Sequence, residues 1–139
     1  MPLCSSVISQ SDATLCLAGA TASGKTAVAQ VLAERLGAAI LSADAMLVYQ
    51  GMDIGTAKPT VAERGQVPYY GLDLVTPGEP FSAAAWLEEA HRAQAASSCL
   101  IAVGGTGLYF SALLRGLDPT PPANPALRAS LEVLPAEEL

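Results

Sequence analysis

Gly19-Ala20-Thr21-Ala22-Ser23-Gly24-Lys25-Thr26 fits the pattern G-x-x-x-x-G-K-[ST] in full. The chemistry of that pattern is phosphate binding. Its glycines let the backbone curl so that successive N–H groups face one anion, and the helix that follows adds its positive end. Lys25 would set a cation on the terminal phosphate, and the Thr26 hydroxyl is placed to ligate Mg²⁺. The pattern specifies a polyphosphate with Mg²⁺ rather than ATP, because any diphosphate suits the same cradle. The alternative is a glycine-rich turn that binds nothing. What lies on either side of the motif argues against that alternative.

Three further places carry polar groups that could join this chemistry. Asp44 follows the apolar run "AAIL" (38–41), at the end of an expected strand, where open α/β sheets place ligand-binding groups. Its carboxylate could take a proton from an incoming nucleophile, hold a metal, or cap a strand-to-loop turn. Thr106, in "GGTG", follows another apolar run and falls on the same edge. Its hydroxyl could steady a diphosphate or a leaving oxygen, or cap the helix expected over 107–114. In "MDIGTAKP", Lys58 is either a second phosphate contact or a solvated loop lysine.

The elements that must position these groups follow from periodicity. "ATLCLA" (13–18) reads as a buried parallel strand ending at the glycine-rich loop. Val28, Val31, Leu32 and Leu36 have helical spacing over 24–36, and Gly37 supplies the stop. "YYGLDLV" (69–75) and "CLIAV" (99–103) predict two more strands around a helix capped by Ser82. Phe81 and Trp86 are placed to staple that helix, with Ala83, Trp86, Leu87 and Ala90 on its inner face. His91 on the same helix reads as a surface residue. Strands alternating with helices predict a P-loop NTPase-like parallel sheet flanked by helices on both faces. The division expected is an N-terminal extension over 1–12, the α/β core over 13–117, and from 118 a Pro-rich segment opening a truncated helical region. A tail that ends in an unfinished helix points to a piece of a longer protein.

Bulk properties narrow the function further. The 139 residues are 51% hydrophobic and 14% charged, a globular composition long enough for a real core. A net charge of −6 offers no broad cationic field to nucleic acid, which leaves only a local basic site. Cys4, Cys16 and Cys99 are too scattered for a disulfide framework or zinc site, so they read as structural thiols in a reducing cytosol. With no run of about 20 apolar residues and no signal-peptide pattern, a soluble cytoplasmic protein without membrane partners is expected, and a monomer.

Three stretches, "GATASGKT", "SADAMLVYQGMDIGTAKP" and "VGGTGLYFSALLRGL", resemble the tRNA dimethylallyltransferases, also called tRNA isopentenyltransferases, in order and spacing. The resemblance runs from about residue 14 through "ANPALRASLE", and "GMDIGTAKP" is far more specific than a phosphate loop alone. It implies that residues 19–26 hold the diphosphate of dimethylallyl diphosphate with Mg²⁺. The dimethylallyl group would pass to N6 of the adenosine 3′-adjacent to the anticodon in the tRNA anticodon stem-loop. On this resemblance Asp44 matches the general base and Thr106 a threonine at the reacting centre. Asp44, Ala45, Met46 and Leu47 match a segment touching the target nucleotide, and Arg128 a position that contacts tRNA.

The sequence departs from that family in two respects. Position 45 is alanine where the family usually has serine, which is expected to weaken binding more than chemistry. Family members are also roughly twice this length, and the absent part is expected to carry much of the tRNA-binding surface. Two other functions fit the phosphate loop: a non-catalytic fragment that binds diphosphate or nucleotide, and a small metabolite kinase. The kinase would need lid arginines, and the chain has only seven lysines and arginines in all.

Overall fold

The computed structural model describes residues 13–119 and 124–135. The expected extension over 1–12, with Cys4, lies outside the described residues, as do 120–123 and 136–139 of the tail. In chain order the elements are β1 (Ala13–Ala18), α1 (Lys25–Leu36), β2 (Ala39–Ala43), α2 (Val61–Arg64) and β3 (Tyr69–Tyr70). They are followed by α3 (Ala83–Ala96), β4 (Cys99–Gly104), α4 (Gly107–Arg115) and α5 (Pro125–Glu132). The strands form one parallel sheet in the order β1-β4-β2-β3.

The two central strands, β2 and β4, are buried along their whole length. Alternation sends Ala39, Leu41 and Ala43 towards Trp86, Ala90 and Ala93 of α3 and Tyr109 and Phe110 of α4. It sends Ile40 the other way, towards Ala29 and Ala33 of α1. Both faces are therefore covered, as a parallel sheet requires. Trp86 is fully buried, stacks on Tyr109 with ring centroids 4.5 Å apart, and shares its core with Phe81. Ser82 caps α3 by accepting from the Ala85 N–H at 3.2 Å. No described helix is long and apolar enough to cross a membrane.

The register is what matters for function. Ala18 and Ala43 both pair with Gly104, one on each side. The loops that leave β1, β2 and β4 therefore start side by side on the carboxyl edge of the sheet. Space there is tight: a Cβ on Gly104 would lie 2.1 Å from the Ala43 carbonyl oxygen.

The structure departs from the sequence reading, or adds to it, at four points. The strand expected over 69–75 stops at Tyr70, because Gly71 (φ 76°) and Asp73 (φ 54°) take the chain out of the extended region. Only a single bridge, Tyr49 to Val75, continues the pairing. On α1 the residues facing the sheet are Ala29 and Ala33, while Val28, Val31 and Leu32 are exposed. The glycine-rich loop fixes how the helix leaves the sheet edge, so its rotation is not free to follow the larger side chains. β1, expected as a buried strand, is an edge strand whose residues are half-buried or exposed, and Cys16 on it is exposed; Cys99 on β4 is buried. Finally, α2 was not read from the sequence, although Thr60 and Glu63 form a capping box that announces it. His91 is exposed, as expected.

Gly104→Ala tests the close approach of β4 to β2. The added methyl must push backbone, so the variant is expected to lose at least about 2 kcal/mol in urea unfolding. A midpoint equal to wild type would show that the strands can part.

Candidate active site

The phosphate loop begins where β1 ends and is held by two left-handed residues, Ala22 (φ 62°) and Gly24 (φ 83°). Gly24 tolerates that conformation and Ala22 does not, at a cost of about 1–2 kcal/mol. No side chain caps α1, and its first turn carries no acid, so its amides face the loop's interior without a competing anion. Lys25 bends back over the loop: its Nζ donates to the Ala20 carbonyl at 2.6 Å, and its stem lies beside Gly19.

The loop faces a small cavity of about 90 Å³. Thr21, Ala22, Lys25 and Thr26 form one wall, while Ser42, Asp44 and Leu47 come from β2 and the loop after it. Thr56, Ala57 and Pro59 close a further side. An adjacent open groove, about 710 Å³, is lined by Ser23 and Gly24 and shares Ala22, Lys25, Thr26, Ala57 and Pro59 with the cavity. The structure thus brings Asp44, Lys25 and Thr26 together as the spacing predicted.

Asp44 serves one of the purposes open to it in the sequence, capping the turn after the strand, and it also lines the cavity. Its Oδ1 accepts from the Met46 N–H at 2.9 Å, turning the chain. Thr106 begins α4, but its hydroxyl makes no capping bond there. Instead Oγ1 accepts from the Ala45 N–H at 3.0 Å, while the Thr106 N–H donates to Ala43 O at 3.0 Å. Thr106 therefore sits behind Asp44, clamping the 44–47 loop to β4, and is absent from the cavity lining. Ala45 and Met46 are exposed next to it, and Leu47 is half-buried.

Lys58 is not a solvated lysine. It is buried, and its Nζ donates to Asp73 Oδ1 (2.5 Å) and Tyr49 O (2.8 Å) and pairs with Asp53 (2.9 Å). Burial pulls its pKa down, but hydrogen bonds and charge from Asp73 and Asp53 outweigh that and hold it above the usual lysine value. Ala57 (φ 55°) and Asp73 (φ 54°), flanking and binding it, are the other non-glycine residues with left-handed backbone among those described. Arg128 lies on α5, whose described residues are all exposed, and contributes nothing to the cavity.

Sequence reasoning missed Ser42. It sits inside an otherwise apolar strand, 4% exposed, and its Oγ has no hydrogen-bond partner among the described residues. Such an orphaned hydroxyl costs about 1–3 kcal/mol. The signal was a lone polar residue in the run "AAILSA", two before Asp44 and so on the same side of the strand.

The chain is similar to known proteins over most of its length. The family model "IPP transferase" matches residues 47–139, and "Isopentenyl transferase" matches residues 13–68. A tRNA dimethylallyltransferase from Methylibium petroleiphilum is 54% identical over 123 residues, covering 86% of this chain and 38% of that protein. One from Anaeromyxobacter dehalogenans is 52% identical over 120 residues, covering 84% and 39%. The crystal structure of a full-length tRNA isopentenylpyrophosphate transferase from Bacillus halodurans superposes with TM-score 0.67 at 36% identity, covering 88% of this chain and 42% of that one. A eukaryotic dimethylallyltransferase acting on tRNA shares the fold at TM-score 0.75 and 23% identity, covering 86% and 32%. The chain thus spans about 38% of the length of the first of these relatives.

Three groups tie stability to alkaline pH. Burial raises the Tyr69 and Tyr109 hydroxyls, and Lys58 is raised by its aspartates. Each holds its proton more tightly folded than unfolded, so its contribution is complete below the unfolded value, about pH 10, and falls as pH rises through the folded one. Urea midpoints are expected to hold up to about pH 10 and to drop as the pH rises above it. Lys58→Met should start about 2 kcal/mol less stable and fall less steeply, since only the tyrosines remain. An unchanged slope in that variant would remove Lys58 from the linkage.

Proposed function

This chain belongs to the IPP transferase family, and we propose that it carries the donor site and catalytic base of a tRNA dimethylallyltransferase. The substrates of this reading are dimethylallyl diphosphate and the adenosine 3′-adjacent to the anticodon of tRNA. One observation carries it: Asp44, the only carboxylate among the described residues that line the cavity, shares it with Lys25 and Thr26 of the phosphate loop. A base and an anion cradle on one small cavity suit displacement of a diphosphate by a nucleophile that must lose a proton.

The bonds balance as follows. A bond forms between N6 of the adenosine and the allylic carbon. The carbon–oxygen bond to diphosphate breaks, and the leaving anion takes the electron pair. The N6 proton goes to the Asp44 carboxylate. The Met46 N–H fixes one oxygen of that carboxylate, and Thr106 fixes the backbone beside it. Lys25 and the amides at the start of α1 stabilise the charge that grows on the diphosphate. The base would enter from a single-stranded loop, where it can leave the stack. Exposed Met46 stands beside Asp44 to meet it, and Arg128 offers a cation on α5 for the RNA backbone.

Magnesium suits the donor set. Thr26 Oγ1, the Asp44 carboxylate and the unpaired Ser42 hydroxyl are hard oxygen donors on one cavity. Among the described residues no cluster of three or more His, Cys, Asp or Glu could cage a metal alone. Mg²⁺ is typically held in that way, by few protein groups together with substrate phosphates and water. Thr26 would hold it, and when bound it supplies charge neutralisation for the leaving diphosphate. A tRNA substrate goes with a cytoplasmic protein.

The test is transfer of labelled dimethylallyl groups from the diphosphate to tRNA with Mg²⁺. Asp44→Asn is expected to lower kcat by about 10²–10⁴-fold while diphosphate still binds. Lys25→Ala is expected to weaken diphosphate binding by at least about tenfold. Transfer unaffected by Asp44→Asn would dismiss Asp44 as the base. Diphosphate binding with no transfer by the wild-type chain would leave it a binding module only.

A further inference from the structure

Ser42 belongs to this site, although the sequence motifs pass over it. It lies on β2, where Ile40, Ser42 and Asp44 fall on the face towards α1, and all three line the cavity with Thr26. Its main chain is fixed from the other side. Beyond the end of β3, Trp86 Nε1 donates to the Ser42 carbonyl at 2.8 Å, and Gly71 packs against the same peptide. The backbone is thus held while the hydroxyl, buried and without a partner among the described residues, belongs to a residue that lines the cavity. A fold that needed only packing here would do better with alanine, as at Ala39 and Ala43 on the same strand.

The opposite wall explains what the hydroxyl is for. In many phosphate-loop enzymes a carboxylate at the end of a neighbouring strand joins the loop threonine in holding Mg²⁺. Here β4 ends in Gly104, followed by Gly105, and Gly104 has no room for any side chain. Asp44 is engaged as the base in the reading above. The one remaining side-chain oxygen from β2 is that of Ser42.

We infer that Ser42 Oγ is a binding group for the Mg²⁺–diphosphate pair, accepting a hydrogen bond from the metal's water shell. This rests on the diphosphate reading of the cavity. Mg²⁺ gives up its water reluctantly and keeps several molecules when bound through phosphates, and those waters need acceptors. A buried hydroxyl beside Thr26 is one.

The free and bound states should respond to its removal in opposite directions. Inorganic diphosphate is titrated by calorimetry into wild type, Ser42→Ala, Ser42→Cys and Lys25→Ala, with magnesium chloride and with EDTA. Melting temperatures are taken without ligand. Ser42→Ala is expected to melt at the wild-type temperature or up to about 4 °C higher, because an unsatisfied buried group is gone. With Mg²⁺ it should bind diphosphate about tenfold more weakly, while its affinity in EDTA changes less than about twofold. Ser42→Cys, which restores the volume but not a strong acceptor, should show the same loss.

Wild-type affinity in either Ser42 variant with Mg²⁺ overturns the inference. So does an equal loss with and without Mg²⁺, which would place the hydroxyl on a phosphate oxygen instead. A lowered melting temperature would overturn it too, by showing that the hydroxyl already has a partner within the fold. If wild type binds and Lys25→Ala does not, the diphosphate reading survives whatever Ser42 does. If wild type itself fails to bind diphosphate, both fall.

Discussion

A single buried ammonium organises the irregular half of this molecule. The chain between β2 and α2 runs from Asp44 to Thr60 without a helix or strand. Lys58 gathers it by binding Tyr49 O, Asp53 and Asp73 at once. The segment after β3 then returns the contact: Asp73 N–H donates to Leu47 O, and Leu74 N–H to Val48 O. Those bonds hold Leu47 and its neighbours against the cavity, on the side opposite the phosphate loop. A lysine taken out of water is tolerated only because its donors are occupied, and the raised pKa says that the pairing outweighs the desolvation. The two aspartates keep part of their surface in water, which limits the cost of confining three charges.

Around that anchor the unfavourable features gather at the cavity. Ala22 and Ala57, both lining it, sit in left-handed backbone, and Ser42, also lining it, keeps a buried hydroxyl unpaired among the described residues. Strained backbone persists only where its surroundings over-determine it, and it concentrates at sites that bind. The well-packed part of the structure lies elsewhere, in the Trp86–Tyr109 stack and the apolar strands beneath it. Trp86 links the two regions, since its ring belongs to the core while its Nε1 holds the Ser42 carbonyl.

Much of the site was legible because its parts are local. A phosphate loop needs glycines, a lysine and a threonine at fixed offsets, so 19–26 could be read without a structure. Asp44 and Thr106 were legible from strand ends, since an apolar run followed by a polar residue marks the carboxyl edge of a parallel sheet. Lys58 was not. A lysine in a glycine-rich loop looks solvated unless both aspartates that meet it are known, and Asp73 is 15 residues away in the chain. The inner face of α1 was not legible for a related reason. Val28, Val31 and Leu32 have the right spacing, yet Ala29 and Ala33 are the residues at the sheet. Periodicity shows that a helix has an apolar side; it does not say which side a connecting loop will turn inward.

By itself the sequence determined the alternation of strands and helices, the anion cradle, and which polar residues end the strands. These are set by short-range sterics, hydrogen bonding and periodicity, all of which operate within a few residues. Only the tertiary structure decided that β4 lies between β1 and β2, which brings Asp44, Thr106 and the phosphate loop to one edge. It also decided that the Thr106 hydroxyl holds the loop at Ala45 rather than capping its helix. Strand order, the fate of a buried lysine and the isolation of one serine hydroxyl depend on partners distant in the chain. No local pattern encodes them, because the energy of each belongs to a contact that exists only when the sheet has closed.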